Sequence, residues 1–186
     1  MLTMLRIVLI PVFIVFASDP GLTYGYLFAG IVFVLASYTD YLDGAIARKR
    51  NLVTDFGKFA DPLADKILTT TAFLYMMADG ACHVLVLVII LAREFAVSGV
   101  RMVAAGAKEG KVIAANLWGK LKTVFQMITI SFYYLLIGAG QVFPAFVQAQ
   151  AFAVNACNVL CWLVAALTAF SGAQYIWSNR SFITVK

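Results

Sequence analysis

Charge is scarce in this chain: only 12% of its 186 residues are Asp, Glu, Lys or Arg, while 63% are hydrophobic. Soluble domains average about a quarter charged and about half apolar. So few charges cannot cover a water-facing surface, which excludes an ordinary soluble globular protein and leaves lipid facing much of the molecule. Histidine is nearly absent too, His83 being the only one, so the usual nitrogen ligand of zinc and iron is missing. The three cysteines, Cys82, Cys157 and Cys161, have no zinc-site spacing. Cys157 and Cys161 stand four apart in an apolar stretch and read as packing thiols; nothing points to an oxidising compartment. The net charge of +5 comes without a basic run interleaved with aromatics, so nucleic-acid binding is not indicated. No internal repeat or low-complexity tract is evident.

What is present is a series of apolar stretches. A spanning helix needs about 20 such residues, and the chain has room for six with short loops. The predicted helices run over 2–18, 22–49, 56–79, 82–106, 114–138 and 149–178. The punctuation between them is Ser18-Asp19-Pro20-Gly21, Lys49-Arg50-Asn51, Asp79-Gly80, Gly106 to Gly110, and Gly138-Ala139-Gly140 with Pro144. The predicted fold is all-α, an integral membrane bundle of six transmembrane helices that forms a single domain over 1–186. The first segment has Arg6 and Pro11 but no evident A-x-A site, so it reads as a retained helix rather than a signal peptide. Arg48, Lys49, Arg50, Lys58, Lys108, Lys111, Arg180 and Lys186 all fall on one side of an even-numbered bundle. The other loops contain Asp19, Asp79 and His83 but no Lys or Arg. The positive-inside rule then puts both termini and the basic loops in the cytoplasm of a multi-pass cell-membrane protein.

Five of the nine acidic residues lie between positions 40 and 65; Asp55 reads as a solvated loop charge, and the other four form two pairs. Asp40 and Asp43 are near the end of the second predicted helix, and Asp61 and Asp65 near the start of the third. Residues three or four apart share a helix face, and the short hairpin between the helices brings the two pairs together at the cytoplasmic end. Four carboxylates converging at a membrane raise one another's pKa and are costly without compensation. Cations resolve that conflict, and an all-oxygen donor set suits Mg²⁺ or Mn²⁺. Gly44, Ala47 and Gly57 leave open space beside the acids. Small residues alone would signify tight helix packing, but next to four aspartates they favour a site that a nucleotide or phosphate can approach closely.

Together these residues read Asp40-x2-Asp43-Gly44-x2-Ala47-Arg48-x8-Gly57-x3-Asp61-x3-Asp65. This resembles the signature of the CDP-alcohol phosphotransferase family at all eight fixed positions. The resemblance implies a six-helix bundle, usually a homodimer, with a divalent metal pair at the cytoplasmic face. It further implies transfer of a substituted phosphate from a CDP-linked donor to an alcohol, with release of CMP. Leu2-Thr3-x2-Arg6, Arg93-Glu94, Arg101 and Gly119-Lys120-x-Lys122-Thr123 extend the likeness to family members that join CDP-diacylglycerol to glycerol 3-phosphate. One departure is that the family pattern has a few residues, including an Asn, before the Leu-Thr pair, whereas here that pair follows Met1 directly.

Carried over residue by residue, the resemblance makes Asp40, Asp43, Asp61 and Asp65 the metal ligands and Asp65 the general base. Asp43, Gly44, Ala47, Arg48, Gly57 and Thr3 would border the nucleotide. Arg48 alternatively sets topology, and Thr3 and Arg6 alternatively anchor the first helix. Arg93 and Arg101 lie within an apolar helix, where a cation facing lipid is expensive, and their guanidinium forks suit a phosphate. The competing roles are pairing with Glu94 or snorkelling to the interface. Lys120 and Lys122 complete the set of acceptor-phosphate candidates. Lys122 shares a polar stripe with Gly119, Thr123 and Gln126 and is expected to face the interior, whereas Lys120 can equally meet lipid headgroups.

The cations point to a phosphorylated acceptor rather than serine, and resemblance alone selects glycerol 3-phosphate over inositol phosphate. A cation transporter would bind ions near the bilayer midplane between repeats, and a di-iron bundle would require Glu-x-x-His pairs. Neither pattern is found in the sequence.

Overall fold

The computed structural model of the chain describes residues 2–19, 22–50, 55–106, 117–143 and 150–180. Within these, the side chains of residues 2–5, 40–50, 55–62, 105 and 106 lie outside the description. The described residues form six helices and no strands: α1 Leu2–Ser18, α2 Gly25–Arg50, α3 Asp55–Ala78, α4 Val84–Gly106, α5 Leu117–Val142 and α6 Gln150–Ser178.

Helix α2 packs on α1 and α5, α5 on α6, and α4 on α6, while α3 touches α1, α4 and α5. Their shared core is aromatic. Phe13 of α1 meets Tyr134 of α5 edge-on at 5.2 Å and Phe33 of α2 at 6.3 Å, and all three are fully buried. The outside is apolar as well: Phe95, Met102, Leu117, Phe152 and Trp177 are each at least 70% exposed. Large apolar side chains are exposed on all six helices, which is foreign to soluble monomers. Among the described residues, α5 and α6 are long and apolar enough to cross a membrane.

Local chemistry explains where the helix ends depart from the predicted ones. α2 starts at Gly25 rather than at residue 22, because Tyr24 takes a φ of +66° that no right-handed helix accommodates. α3 stops at Ala78, one residue before the predicted 79, with Gly80 at φ +78° and the Ala81 N–H returning to Met76 O at 2.8 Å, the left-handed exit that glycine makes cheap. α4 begins two residues later than the predicted 82, and His83 Nδ1 accepts from the Leu85 N–H at 3.2 Å in a capping role.

The larger correction is at Gly138-Ala139-Gly140, expected to break the chain but located inside α5. These glycines serve close approach rather than turning. A Cβ on Gly138 would lie 2.5 Å from Leu27 Cα, and one on Gly140 would lie 2.7 Å from Gln150 Nε2. Most of the predicted break after Gly106, and Pro144, lie outside the described residues.

At the far end of α3, Asp79 ties three elements together. Its Oδ2 accepts from Tyr26 Oη of α2 at 2.8 Å and from Tyr133 Oη of α5 at 2.7 Å. This carboxylate lies roughly 21 Å along the helix from Asp65, at 1.5 Å per residue.

The α2–α5 contact gives a paired prediction. Gly138→Val should destabilise the protein by about 1–3 kcal/mol through overpacking. Gly99→Ala, where an added Cβ meets nothing within 4 Å, should be neutral or stabilising. Unfolding midpoints in detergent micelles would measure both, and a parent-like midpoint for Gly138→Val would refute the close crossing.

Candidate functional site

The motif aspartates are carried by two consecutive helices. Asp40 and Asp43 lie in the last three turns of α2, and Asp61 and Asp65 in the first three turns of α3, across a connection of four residues. The side chains of Thr3, Asp40, Asp43, Gly44, Ala47, Arg48, Gly57 and Asp61 lie outside the described residues. No group of three or more His, Cys, Asp or Glu side chains gathers among the described residues. Arg6 is buried in α1.

Asp65 is described, and it lines a cavity of about 500 Å³ bounded by α3, α4 and α5. Arg93 and Arg101 of α4 and Lys122 of α5 line the same cavity. Lys120 does not. It is exposed, on the outward side of α5, while Lys122, only 4% exposed, is on the buried stripe with Gly119 and Gln126. Two positions on a helix differ by about 200° in direction, which separates these lysines. Leu63, Thr70, Phe73 and Ile90 give the cavity a mixed apolar and hydroxyl lining.

Each cation is held by a specific neighbour. Arg93 extends across Gly172 of α6, where a Cβ would come within 2.7 Å of its Cγ. Its Nη2 donates to Ser171 Oγ at 3.0 Å and its Nη1 to Glu94 Oε1 at 3.4 Å. The third guanidinium nitrogen, Nε, is buried with no hydrogen-bond partner among the described residues. Arg101 donates from Nε to Tyr175 Oη at 3.2 Å, with its guanidinium carbon 5.6 Å from the Tyr175 ring centroid. Lys122 Nζ donates to Glu94 Oε1 and to Gln126 Oε1, the latter at 3.0 Å.

Two charged cavity residues, Lys66 and Glu94, were not among the predicted site residues. Lys66 of α3 donates to Ser98 Oγ at 2.6 Å and lies 4.0 Å from Glu94 Oε2. Glu94, foreseen only as a pairing partner for arginine, receives Lys122 and Arg93 and has Lys66 beside it. The reasoning applied to Arg93, that a cation inside an apolar helix needs a purpose, applies equally to Lys66.

Residues 1–170 match the family described as CDP-alcohol phosphatidyltransferase. The chain belongs to the CDP-alcohol phosphatidyltransferase family. It is 36% identical to the CDP-diacylglycerol–glycerol-3-phosphate 3-phosphatidyltransferase of Bacillus subtilis, across 96% of this chain and 92% of that one. The enzyme of the same name from Rickettsia typhi is also 36% identical, over 97% of this chain and 96% of its own. The one from Haemophilus influenzae is 30% identical over 94% and 89%. Membership in the CDP-alcohol phosphatidyltransferase family, with two helices long and apolar enough to cross a membrane, indicates membrane association.

The placement of the two lysines can be checked chemically. Brief labelling of the detergent-solubilised protein with an amine-reactive reagent should modify Lys120 readily and leave Lys122 protected, as read by peptide mass spectrometry. Equal labelling would contradict the buried Lys122–Glu94 pair.

Proposed function

We propose that this chain is a multi-pass membrane enzyme that transfers the phosphatidyl group of CDP-diacylglycerol to glycerol 3-phosphate, giving phosphatidylglycerophosphate and CMP. One observation carries the acceptor half of this reading: Arg93 has a buried Nε without a partner among the described residues, on a cavity it shares with Asp65, Arg101 and Lys122. Buried donors left unbonded are rare and require an explanation. A phosphate oxygen supplies the missing acceptor, and guanidinium groups match phosphate geometry. The relatives' names supply the acceptor's identity.

The donor half rests on the four aspartates. All their donor atoms are carboxylate oxygens, which fits Mg²⁺ or Mn²⁺ rather than softer metals, and both pairs lie on the adjoining ends of α2 and α3. Asp40, Asp43, Asp61 and Asp65 would hold the metals. Held there, divalent metal would supply positive charge to offset the negative charge of the donor's diphosphate and of departing CMP. Asp43, Gly44, Ala47, Arg48, Gly57 and Thr3 border the nucleotide in this scheme.

The chain's own groups then do three things. Arg93, Arg101 and Lys122 grip the acceptor phosphate and thereby aim its free hydroxyl, which is the proximity term of catalysis. Asp65 takes the hydroxyl proton as the oxygen attacks the β-phosphorus. The new O–P bond forms as the bond from phosphorus to the CMP oxygen breaks. The apolar walls at Leu63 and Phe73 restrict water, which would otherwise compete as the nucleophile. Lys120 takes the headgroup role.

The wider arrangement follows from the same reading. All six helices span the membrane, residues 1–186 form one domain, and the termini and site face the cytoplasm by the distribution of Lys and Arg. The working unit is a homodimer.

Purified protein should release CMP from CDP-diacylglycerol only when glycerol 3-phosphate and Mg²⁺ or Mn²⁺ are both supplied, and EDTA should stop it. Asp65→Asn should lower turnover by at least about a hundredfold while donor binding remains detectable. Release with inositol phosphate or serine instead would overturn the acceptor assignment, and near-parent turnover of Asp65→Asn would remove Asp65 as the base.

A further inference from the structure

The cavity wall contains one carboxylate that the transfer chemistry does not use. Glu94 of α4 accepts from Lys122 of α5, receives Arg93 Nη1 at 3.4 Å, and has Lys66 Nζ of α3 at 4.0 Å. Cations from three helices therefore meet on one side chain, itself only 18% exposed. All three are steadied from a second direction, Lys66 by Ser98 Oγ at 2.6 Å, Lys122 by Gln126 Oε1 at 3.0 Å and Arg93 by Ser171 Oγ at 3.0 Å. An ammonium has three N–H donors, so both lysines retain capacity for a ligand after these bonds are made.

Without Glu94, three cations of like sign would face one another across a partly apolar cavity. Each would gain by turning towards water or lipid headgroups, as long cationic side chains do. The Lys122 ammonium, nearly fully buried, would lose the carboxylate it is bonded to. With Glu94 present the cations are already gathered before a ligand arrives, which removes much of the ordering cost of binding.

We propose that Glu94 is a positioning residue for the acceptor phosphate: it holds Lys66, Arg93 and Lys122 as one array, acting through them and not on the reacting hydroxyl. Lys66 thereby becomes a further phosphate-binding cation of the same site. This rests on the reading of the cavity as the acceptor site. The opposite role for a carboxylate in this place is competition, in which it would occupy the lysines and have to be displaced by phosphate. The two roles predict opposite changes in affinity.

The test is steady-state CMP release by full-length Glu94→Gln, Glu94→Asp, Lys122→Gln and the Glu94→Gln/Lys122→Gln double variant, each verified as folded by size-exclusion chromatography. Glu94→Gln should raise the KM for glycerol 3-phosphate by at least about tenfold, the scale of one charged hydrogen bond, and leave the KM for CDP-diacylglycerol near the parent's. Glu94→Asp, which keeps the charge, should recover part of that loss. The double variant should be little worse than the more affected single one, since both changes disable the same array. An unchanged or lowered KM for glycerol 3-phosphate in Glu94→Gln, with a raised one in Lys122→Gln, would overturn the positioning role alone. Unchanged acceptor KM in both would instead overturn the acceptor-site reading and this inference with it. If Glu94→Gln does not fold, Lys66→Gln decides: it should raise the same KM, and a parent-like value would overturn the proposal.

Discussion

Charge buried inside an apolar helical protein must be compensated on the spot, and this constraint organises the cavity between α3, α4 and α5. Arg93, Lys122 and Lys66 approach one another from three helices, an arrangement that would be repulsive if nothing of opposite sign stood between them. Glu94 supplies that sign. Truncating one partner of a buried pair leaves an uncompensated charge, which costs far more than the pair itself contributes. The cluster is therefore a poor source of stability and a good source of geometry. It fixes where the positive groups point, and α6 completes the fixing through Ser171 on Arg93 and Tyr175 on Arg101.

Close backbone approach is the second organising feature. Between helices already surrounded by apolar material, packing and hydrogen bonds matter more than exclusion of water. Gly138 lets α5 ride against Leu27 of α2, and Gly172 makes room for the stem of Arg93. The two features are linked, because α5 supplies Lys122 to the cavity and α2 bears Asp40 and Asp43. A crossing without spare volume sets the spacing between the helix of the aspartates and the helix of the lysine. Asp79, held by two tyrosines at the other end of α3, secures the same set of helices from the opposite side.

Much of this was legible in the sequence, and the reasons differ by residue. Helix number followed from long apolar stretches, a signal that survives any detail of packing. Arg93, Arg101 and Lys122 were expected at one site and line one cavity with Asp65, since an ionisable residue in an apolar helix is conspicuous by its cost. Lys120 was grouped with them through resemblance, while its helical direction turns it outward. Gly138 and Gly140 misled because glycine marks both turns and close contacts, and only the neighbouring helix distinguishes the two. Glu94 was seen as one arginine's partner rather than as a hub, because a hub is defined by three helices that sequence spacing does not bring together. Asp79 was read as a loop charge because nothing local announces the distant tyrosines.

The division of labour among the helices bears on how such a protein can diversify. The eight-position aspartate motif is confined to α2 and α3, whereas most of the cavity's charged wall belongs to α4 and α5, with Asp65 and Lys66 at the seam. On the proposed reading, the groups that handle the nucleotide and those that choose the alcohol are encoded in separate stretches of the gene. Substitutions in the second stretch can reshape acceptor choice while the first is left untouched. A lineage, or a protein engineer, can then explore new alcohols without risking the chemistry of the donor.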